Sequence, residues 1–481
     1  MKSFGILEFD EKKSGHAFGK NELILLIIGI IVFVGVILIP IPGLALEGRK
    51  ALAIILLCLF CYANKGIPNL FASFLMFFLA IAMGLIGYGQ YAMAVGTSPL
   101  LMLTCLFIVS AGVTNTNLAQ RLAYALLLKL GHQPKGIVAA MVLAGVIVSA
   151  LIANMPACLI LAAIGASVLK ELGEVPGTSR LGKAVLLGIS TATIVGGVAF
   201  ISSSGTNPSN IALIEAATEQ AYTISYNQWA AIGLPFAIIM TPVLIFVLNR
   251  VFKISKDTVP LALDKAVVQK KLDELGKVTK SELRYLITLA IMMVLFLTTS
   301  VTGLNIPTVT VIGMLLVICP GWGTVNINEA VKSVPWSVVF FAAVTVGFAG
   351  VVTSSGLGAW ISNVFLGWTE GLPSLVVILV ISVACVVING LTMCSPGTLI
   401  IPSVAAMAVS AGYLPMFYAF PVCIMTCASF VTPLLPDSQL TYGYGYWKYS
   451  DMIKFGWIFA AFWIVIFCLL LYFVGPLVGL V

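Results

Sequence analysis

Charge is scarce in this sequence. Asp, Glu, Lys and Arg together make up 9% of its 481 residues, and histidine occurs twice. Soluble domains carry about a quarter charged residues, so a water-facing surface for a chain of this length is excluded. The two histidines, His16 and His132, fall near or in polar connections. They leave too few ligands for most zinc centres and starve His-based catalysis. No Walker-type loop and no G-x-G-x-x-G run occurs, so the usual phosphate cradles are missing and a built-in ATPase with them. Cysteine is present ten times but mostly inside apolar runs, and the C-x-x-C of Cys58 and Cys61 lies within one, LLCLFCYA. It reads as small core side chains.

What fills the sequence is apolar surface: 60% hydrophobic residues and a mean hydropathy of +1.11. The solvent for most of this chain is therefore lipid, which demands helices or a closed barrel. The apolar runs are continuous rather than alternating, which selects helices. A polar head, 1–21, carries Lys2, Lys12, Lys13 and Lys20. No small-residue cleavage site follows the first apolar run, so it predicts a retained first helix. The pattern predicts eleven spans, near 23–42, 49–63, 66–86, 97–128, 182–217, 227–252, 284–303, 306–320, 334–363, 414–446 and 452–480.

Two further stretches, 136–170 and 372–411, are pairs of short apolar arms around polar, proline-containing middles, ALIANMPACL and INGLTMCSPGTL. Each arm is marginal for a crossing of about 20 residues. Re-entrant hairpins are the favoured reading, with two ordinary short helices as the alternative. With a cytoplasmic N-terminus, 22 of the 25 lysines and arginines fall on the cytoplasmic side, as the positive-inside rule requires. The net charge of +7 then reflects orientation in an inner membrane and not nucleic-acid binding. Within the polar connection 253–283, Val268, Leu272 and Leu275 share one helical face. This suits either a helix on the membrane surface or a solvated linker helix.

The chain repeats itself. TSPLLMLTCLFIVSAGVTNTNLAQRLAY resembles VPWSVVFFAAVTVGFAGVVTSSGLGAWIS, and each copy leads through a polar break into a proposed hairpin. AFISSSGTNPSNIAL then corresponds to SFVTPLLPDSQLTYG, and YNQWAAIGLP to YSDMIKFGWI, pairing Pro208 with Pro436 and Gly233 with Gly456. An odd number of spans separates the halves, so the repeats are inverted, an architecture of secondary transporters. The expected organisation is scaffold helices at 22–135 and 284–371, with transport halves at 136–252 and 372–481.

Four segments interrupt the apolar pattern at mid-membrane depth: the two hairpin tips and the breaks Ser202–Asn210 and Thr432–Gln439. Gly205, Pro208, Pro433 and Pro436 oppose a continuous helix. Half-helix N-termini there attract anions, and freed carbonyls attract cations. No Lys, Arg or His lies in any of the four, so a bound dianion must be neutralised by helix ends or co-bound cations, which favours coupling to Na⁺ or H⁺. Arg121 sits late in its helix and reads as a scaffold or snorkelling residue. Asp437 is the single carboxylate of the four segments. It is a candidate for holding Na⁺, a proton or a substrate amine, or for capping the helix after it.

These features together resemble the divalent anion/sodium symporter family over nearly the whole chain after the polar head. The likeness is strongest in GTNPSNIAL, in VPW…SSGLGAWIS and in PLLPDSQLTYGYGYWKYSDMIKFGW. It implies an all-α, elevator-type homodimer without an enzymatic cofactor, moving a dicarboxylate-like anion with Na⁺ between two hairpin tips and two breaks. A Na⁺-independent exchanger, or a carrier of citrate, tartrate, sulfate or a zwitterionic acid, is the alternative on the same fold. Carried over residue by residue, the substrate candidates are Asn154, Thr206, Asn207, Asn210, Thr392, Ser395, Asp437 and Ser438, and the Na⁺ candidates are Ser149, Asn154 and Gly205. The family's Ser-Asn-Thr tips are altered here to Ala153-Asn154-Met155 and Thr392-Met393-Cys394-Ser395, and its Pro-Pro-Asn to Pro436-Asp437-Ser438.

Overall fold

A computed structural model describes residues 20–64, 67, 69–96, 98–218, 221–255, 263–369, 371–391, 397–410, 413–432 and 435–480. Every regular element among these is helical. The chain opens with α1 (Lys20–Leu38), α2 (Leu46–Ala63), α3 (Asn69–Ala82) and α4 (Tyr88–Val95). The first repeat follows as α5 (Ser98–Thr114), α6 (Leu118–Leu130), α7 (Pro134–Leu151), α8 (Asn154–Glu171), α9 (Arg180–Gly197), α10 (Thr206–Ala217) and α11 (Tyr226–Val251). The connection holds α12 (Lys265–Glu274), and α13 (Lys280–Leu297), α14 (Thr299–Thr302), α15 (Ile306–Ile318) and α16 (Ile327–Ser333) come next. The second repeat is α17 (Trp336–Ser354), α18 (Leu357–Thr369), α19 (Ser374–Leu391), α20 (Gly397–Ser410), α21 (Pro415–Met425), α22 (Pro436–Tyr442) and α23 (Tyr449–Val474).

Among the described residues, α7, α8, α11, α17 and α23 are long and apolar enough to cross a membrane. The expected single run 97–128 is instead two helices bent by 58°. Polar residues Asn115, Thr116 and Asn117 stand at the bend. Their groups find partners there that a straight apolar helix would not offer: the Asn115 amide reaches Glu329, and the Asn117 N–H donates to Glu282 at 3.2 Å. The run 334–363 breaks at the equivalent place, where Gly356 turns the chain at φ +74°. The sequence pattern showed the polar break but did not reveal that it redirects the helix.

The repeat correspondence appears in backbone contacts. A Cβ on Gly233 would overlap the carbonyl of Val198, and one on Gly456 would overlap the carbonyl of Phe430. Each glycine lets a long 26-residue helix, α11 or α23, lie directly on a backbone carbonyl of the break that precedes it. Both helices start alike. The Gln228 side chain accepts from the Ser225 N–H, and Asp451 from the Lys448 N–H, each at 3.0 Å. Such closure satisfies a donor at each N-terminus, and at Ser225 it is reciprocal, the Gln228 N–H donating to Ser225 Oγ at 3.2 Å. The two half-structures meet through Lys183–Asp451 at 2.9 Å and through the Tyr446 hydroxyl donating to the Glu174 carbonyl.

One apolar core gathers α2, α3 and α4 with α17 and the start of α18, through Ile54, Cys58, Tyr91, Phe348 and Leu357. A larger one joins α7–α11 to α19–α23, with Trp229, Phe236, Phe420, Phe430 and Trp463 at its centre. Cys58 and Cys61 are buried thiols, as core side chains should be.

The connecting helix α12 is held on the protein. It lies against α6 with Val268 buried, and Lys271 reaches Glu171 and Ser167 at the end of α8. Arg121 donates to the carbonyls of Leu275, Gly276 and Lys277 at 2.7–3.0 Å and pairs with Glu282 at 3.1 Å. It is a scaffold residue that closes the end of one helix and the start of another. Burial works against the Glu282 charge, but the Thr279 N–H, Arg121 and the Asn117 N–H outweigh it. They hold the carboxyl below the usual carboxylate range.

Candidate functional site

The first hairpin is α7 and α8, 18 residues each, joined at Ile152 and Ala153. Its tip is buried in protein beside the first break. Ser110 Oγ donates to the Ile152 carbonyl and Ser203 Oγ to that of Ala150, satisfying backbone acceptors at the end of α7. Gly196 and Gly197 bring α9 against the tip, where a Cβ would come within 3.0 Å of Ser149 Cβ and 3.4 Å of Asn154 Cβ. A tip that ends among other half-helices behaves as a re-entrant hairpin. Irregular backbone at this depth is tolerated only inside such cover.

The first break runs from the end of α9 through a 3₁₀ turn at Ile201–Ser203 to α10. Its amides close on freed backbone. Asn207 Nδ2 donates to the carbonyls of Gly197 and Phe200 at 2.8 and 2.9 Å. Asn210 Nδ2 donates to the Cys423 carbonyl and to Thr426 Oγ1 at 3.1 and 2.8 Å, across to the end of α21. Thr206 Oγ1 lies 3.0 Å from Ser204 Oγ and 3.3 Å from Cys427 Sγ.

The second break separates α21 from α22. Asp437 is 2% exposed in the first turn of α22. Its Oδ2 accepts from Asn154 Nδ2 at 2.9 Å, so the first hairpin tip and the second break touch directly. Cys158 Sγ lies 3.4 Å from the Asp437 carbonyl. The other carboxylate oxygen, Oδ1, is buried and has no hydrogen-bond partner among the described residues, and the same holds for Asn207 Oδ1. Ser438 is buried on α22, which packs against α8 and α9.

The structure thus brings together Asn154 and Asp437 directly, Asn207 with the α9 end beside Asn154, and Thr206 and Asn210 with the end of α21. Ser149 is buried, and its hydroxyl donates to the Thr193 carbonyl at 2.6 Å. Gly205 faces Leu103 and Phe107 of α5. The Na⁺ candidates supply hydroxyl, amide and carbonyl oxygens, the hard neutral kind an alkali ion takes. Asn154 is turned the right way for this: its NH₂ faces Asp437, so its oxygen is presented elsewhere. Thr392 and Ser395 of the second tip, and Pro433, lie outside the described residues.

Asn389 was missed by the sequence reading. Its Nδ2 donates to the carbonyls of Met425 and Thr426 at 3.3 and 2.9 Å, as Ser149 donates to that of Thr193 in the first repeat. An amide near the end of an otherwise apolar arm, ISVACVVINGL, was the available signal. Cys158, Cys427 and Thr426 were missed because thiols and a lone threonine in apolar runs resemble core side chains.

The comparisons with known proteins accord with this geometry. The family described as the sodium:sulfate symporter transmembrane region matches residues 20–481. A sodium-dependent dicarboxylate transporter SdcS from Staphylococcus saprophyticus is 25% identical over 98% of this chain and 95% of its own length. Its namesake from Staphylococcus aureus strain USA300 is 24% identical over 98% and 94%. Among solved structures, the Alcanivorax borkumensis YdaH transporter aligns with a TM-score of 0.55 at 13% identity, covering 90% of this chain and 98% of its own. Neisseria gonorrhoeae MtrF aligns with 0.56 at 14%, covering 93% and 94%. At such identities these two speak for the fold alone. On the family match across nearly all its length, this chain belongs to the sodium:sulfate symporter family of multi-pass membrane transporters and is a carrier rather than an enzyme.

Proposed function

We propose that this protein is a Na⁺-coupled secondary transporter that carries a small carboxylate anion, dicarboxylate-like in size, across the inner membrane. One observation carries the reading: the Asn154–Asp437 bond, which joins a hairpin tip of one repeat to the helix break of the other deep inside an apolar protein. Polar groups are retained at such depth for binding and coupling. The N-termini of α8 and α10, at the first tip and the first break, favour anionic groups, while Ser149, Asn154 and the Gly205 carbonyl offer oxygens to Na⁺. Relatives named as sodium-dependent dicarboxylate transporters support both cargo class and ion. The carrier works as a homodimer, with α7–α11 and α19–α23 moving as one body by an elevator mechanism against scaffold helices. Its lysines and arginines put the N-terminus in the cytoplasm.

Uptake into proteoliposomes tests this. An inward Na⁺ gradient drives accumulation of labelled four-carbon carboxylate with an empty lumen, and Asn154→Ala reduces it. Uptake that needs internal counter-substrate and ignores Na⁺ makes the protein an exchanger instead.

A further inference from the structure

Asp437 is a buried carboxylate with one satisfied oxygen. Asn154 serves Oδ2, and Oδ1 is enclosed without a donor. The ion pairs among the described residues lie elsewhere, at Arg121–Glu282, Lys183–Asp451 and Lys271–Glu171. The titratable groups facing the carboxylate are the thiols of Cys158 from α8 and Cys427 after α21, with the Tyr444 phenol close to Cys158. None of these is cationic. The first turn of α22 contributes only a partial positive charge. A carboxylate in this setting either holds a proton or takes a cationic partner that arrives with a ligand.

The surroundings discriminate between kinds of cation. An alkali ion is held by several hard oxygens. Among the described residues, Asp437 is contacted by the Asn154 amide nitrogen and the Cys158 thiol, and the Asn154 amide turns its NH₂, not its oxygen, toward the carboxylate. An ammonium group needs one strong acceptor and brings its own donors. A second carboxylate beside Asp437 would instead meet like charge at low dielectric.

On this basis, and resting on the reading of the breaks as the cargo site, we infer that Asp437 binds a protonated amine on the cargo. The transported molecule is an amino-bearing carboxylate. Its ammonium pairs with Asp437 Oδ1, and its carboxylate groups face the helix N-termini and the neutral donors. Asp437 is then a specificity-determining residue that exchanges preference for a plain dicarboxylate for preference for its amino counterpart.

L-Aspartate and succinate share a four-carbon dicarboxylate skeleton and differ by the amine. With the purified full-length protein, the expected result is at least tenfold tighter binding of aspartate by thermal shift, and the same preference in Na⁺-driven uptake. Asp437→Asn inverts the preference and Asp437→Glu retains it. Wild-type preference for succinate overturns the inference without any variant having to fold. It also falls if Asp437→Asn changes Na⁺ dependence while leaving cargo preference intact, which makes Asp437 an ion ligand. Amine preference in binding without Na⁺-driven uptake refutes the coupling reading and upholds this one. Na⁺-driven uptake with no amine preference does the reverse.

Discussion

The two helix breaks share a frame and differ in chemistry. Behind each, a glycine of the following long helix, Gly233 or Gly456, rests on a backbone carbonyl of the break, that of Val198 or Phe430. In front, the first break is closed by neutral amides, with Asn207 and Asn210 together reaching four acceptors. The second carries a carboxylate whose partner, Asn154, comes from the other repeat. Duplication preserves what backbone contact demands, because a carbonyl in place of solvent tolerates no Cβ. The side chains in front differ between the halves, and one half carries a charge.

The largest expected effect tests the shared frame. Gly233→Val and Gly456→Val each force a side chain into a carbonyl and should cost about 3 kcal/mol or more, seen as loss of monodisperse protein and a lowered Tm. Tolerance at one glycine alone would break the equivalence of the halves. Next comes the charged break. Asn154→Ala leaves both Asp437 oxygens without a donor and should cost about 1–3 kcal/mol. Combining it with Asp437→Asn should recover part of that loss, a coupling read from a double-mutant cycle. The neutral break should respond less: Asn210→Ala removes two uncharged bonds, for about 1–2 kcal/mol.

The clamp on the connection between the halves has a pH signature. The folded Glu282 carboxyl is held low, so its contribution is present above the usual carboxylate pKa. It is lost as pH falls through the lowered folded value. Wild-type Tm should therefore decline on acidification, and Arg121→Gln should flatten that decline. The smallest effect is at Lys271, whose partner Glu171 is 47% exposed. Lys271→Ala should change stability by less than about 1 kcal/mol.

Much of this was legible in the residues. The repeat pairing of Gly233 with Gly456, the two breaks and Asp437 as the odd carboxylate follow from periodicity and from polar residues in apolar runs. Arg121, expected late in its helix, stands instead in the first turn of α6, where it bonds protein groups rather than snorkelling. Its three carbonyl partners in the α12 connection could not be seen, because they come from residues more than 150 positions away. The 58° bend at Asn115–Asn117 was visible as polarity but not as direction, since direction is set by Glu282 and Glu329 on other helices. Asn389 escaped because its acceptors are carbonyls at the end of α21, and a carbonyl has no sequence signature.

The sequence by itself determined the solvent, the helical class and the repeat, because each is a property of composition or spacing along the chain, and its motifs carried the resemblance to the family. Only the tertiary structure decided that Asn154 turns its amide toward Asp437 and leaves Oδ1 bare. That pairing spans 283 positions. It depends on which half-helix ends the fold brings together, and it decides what charge an arriving cargo has to carry.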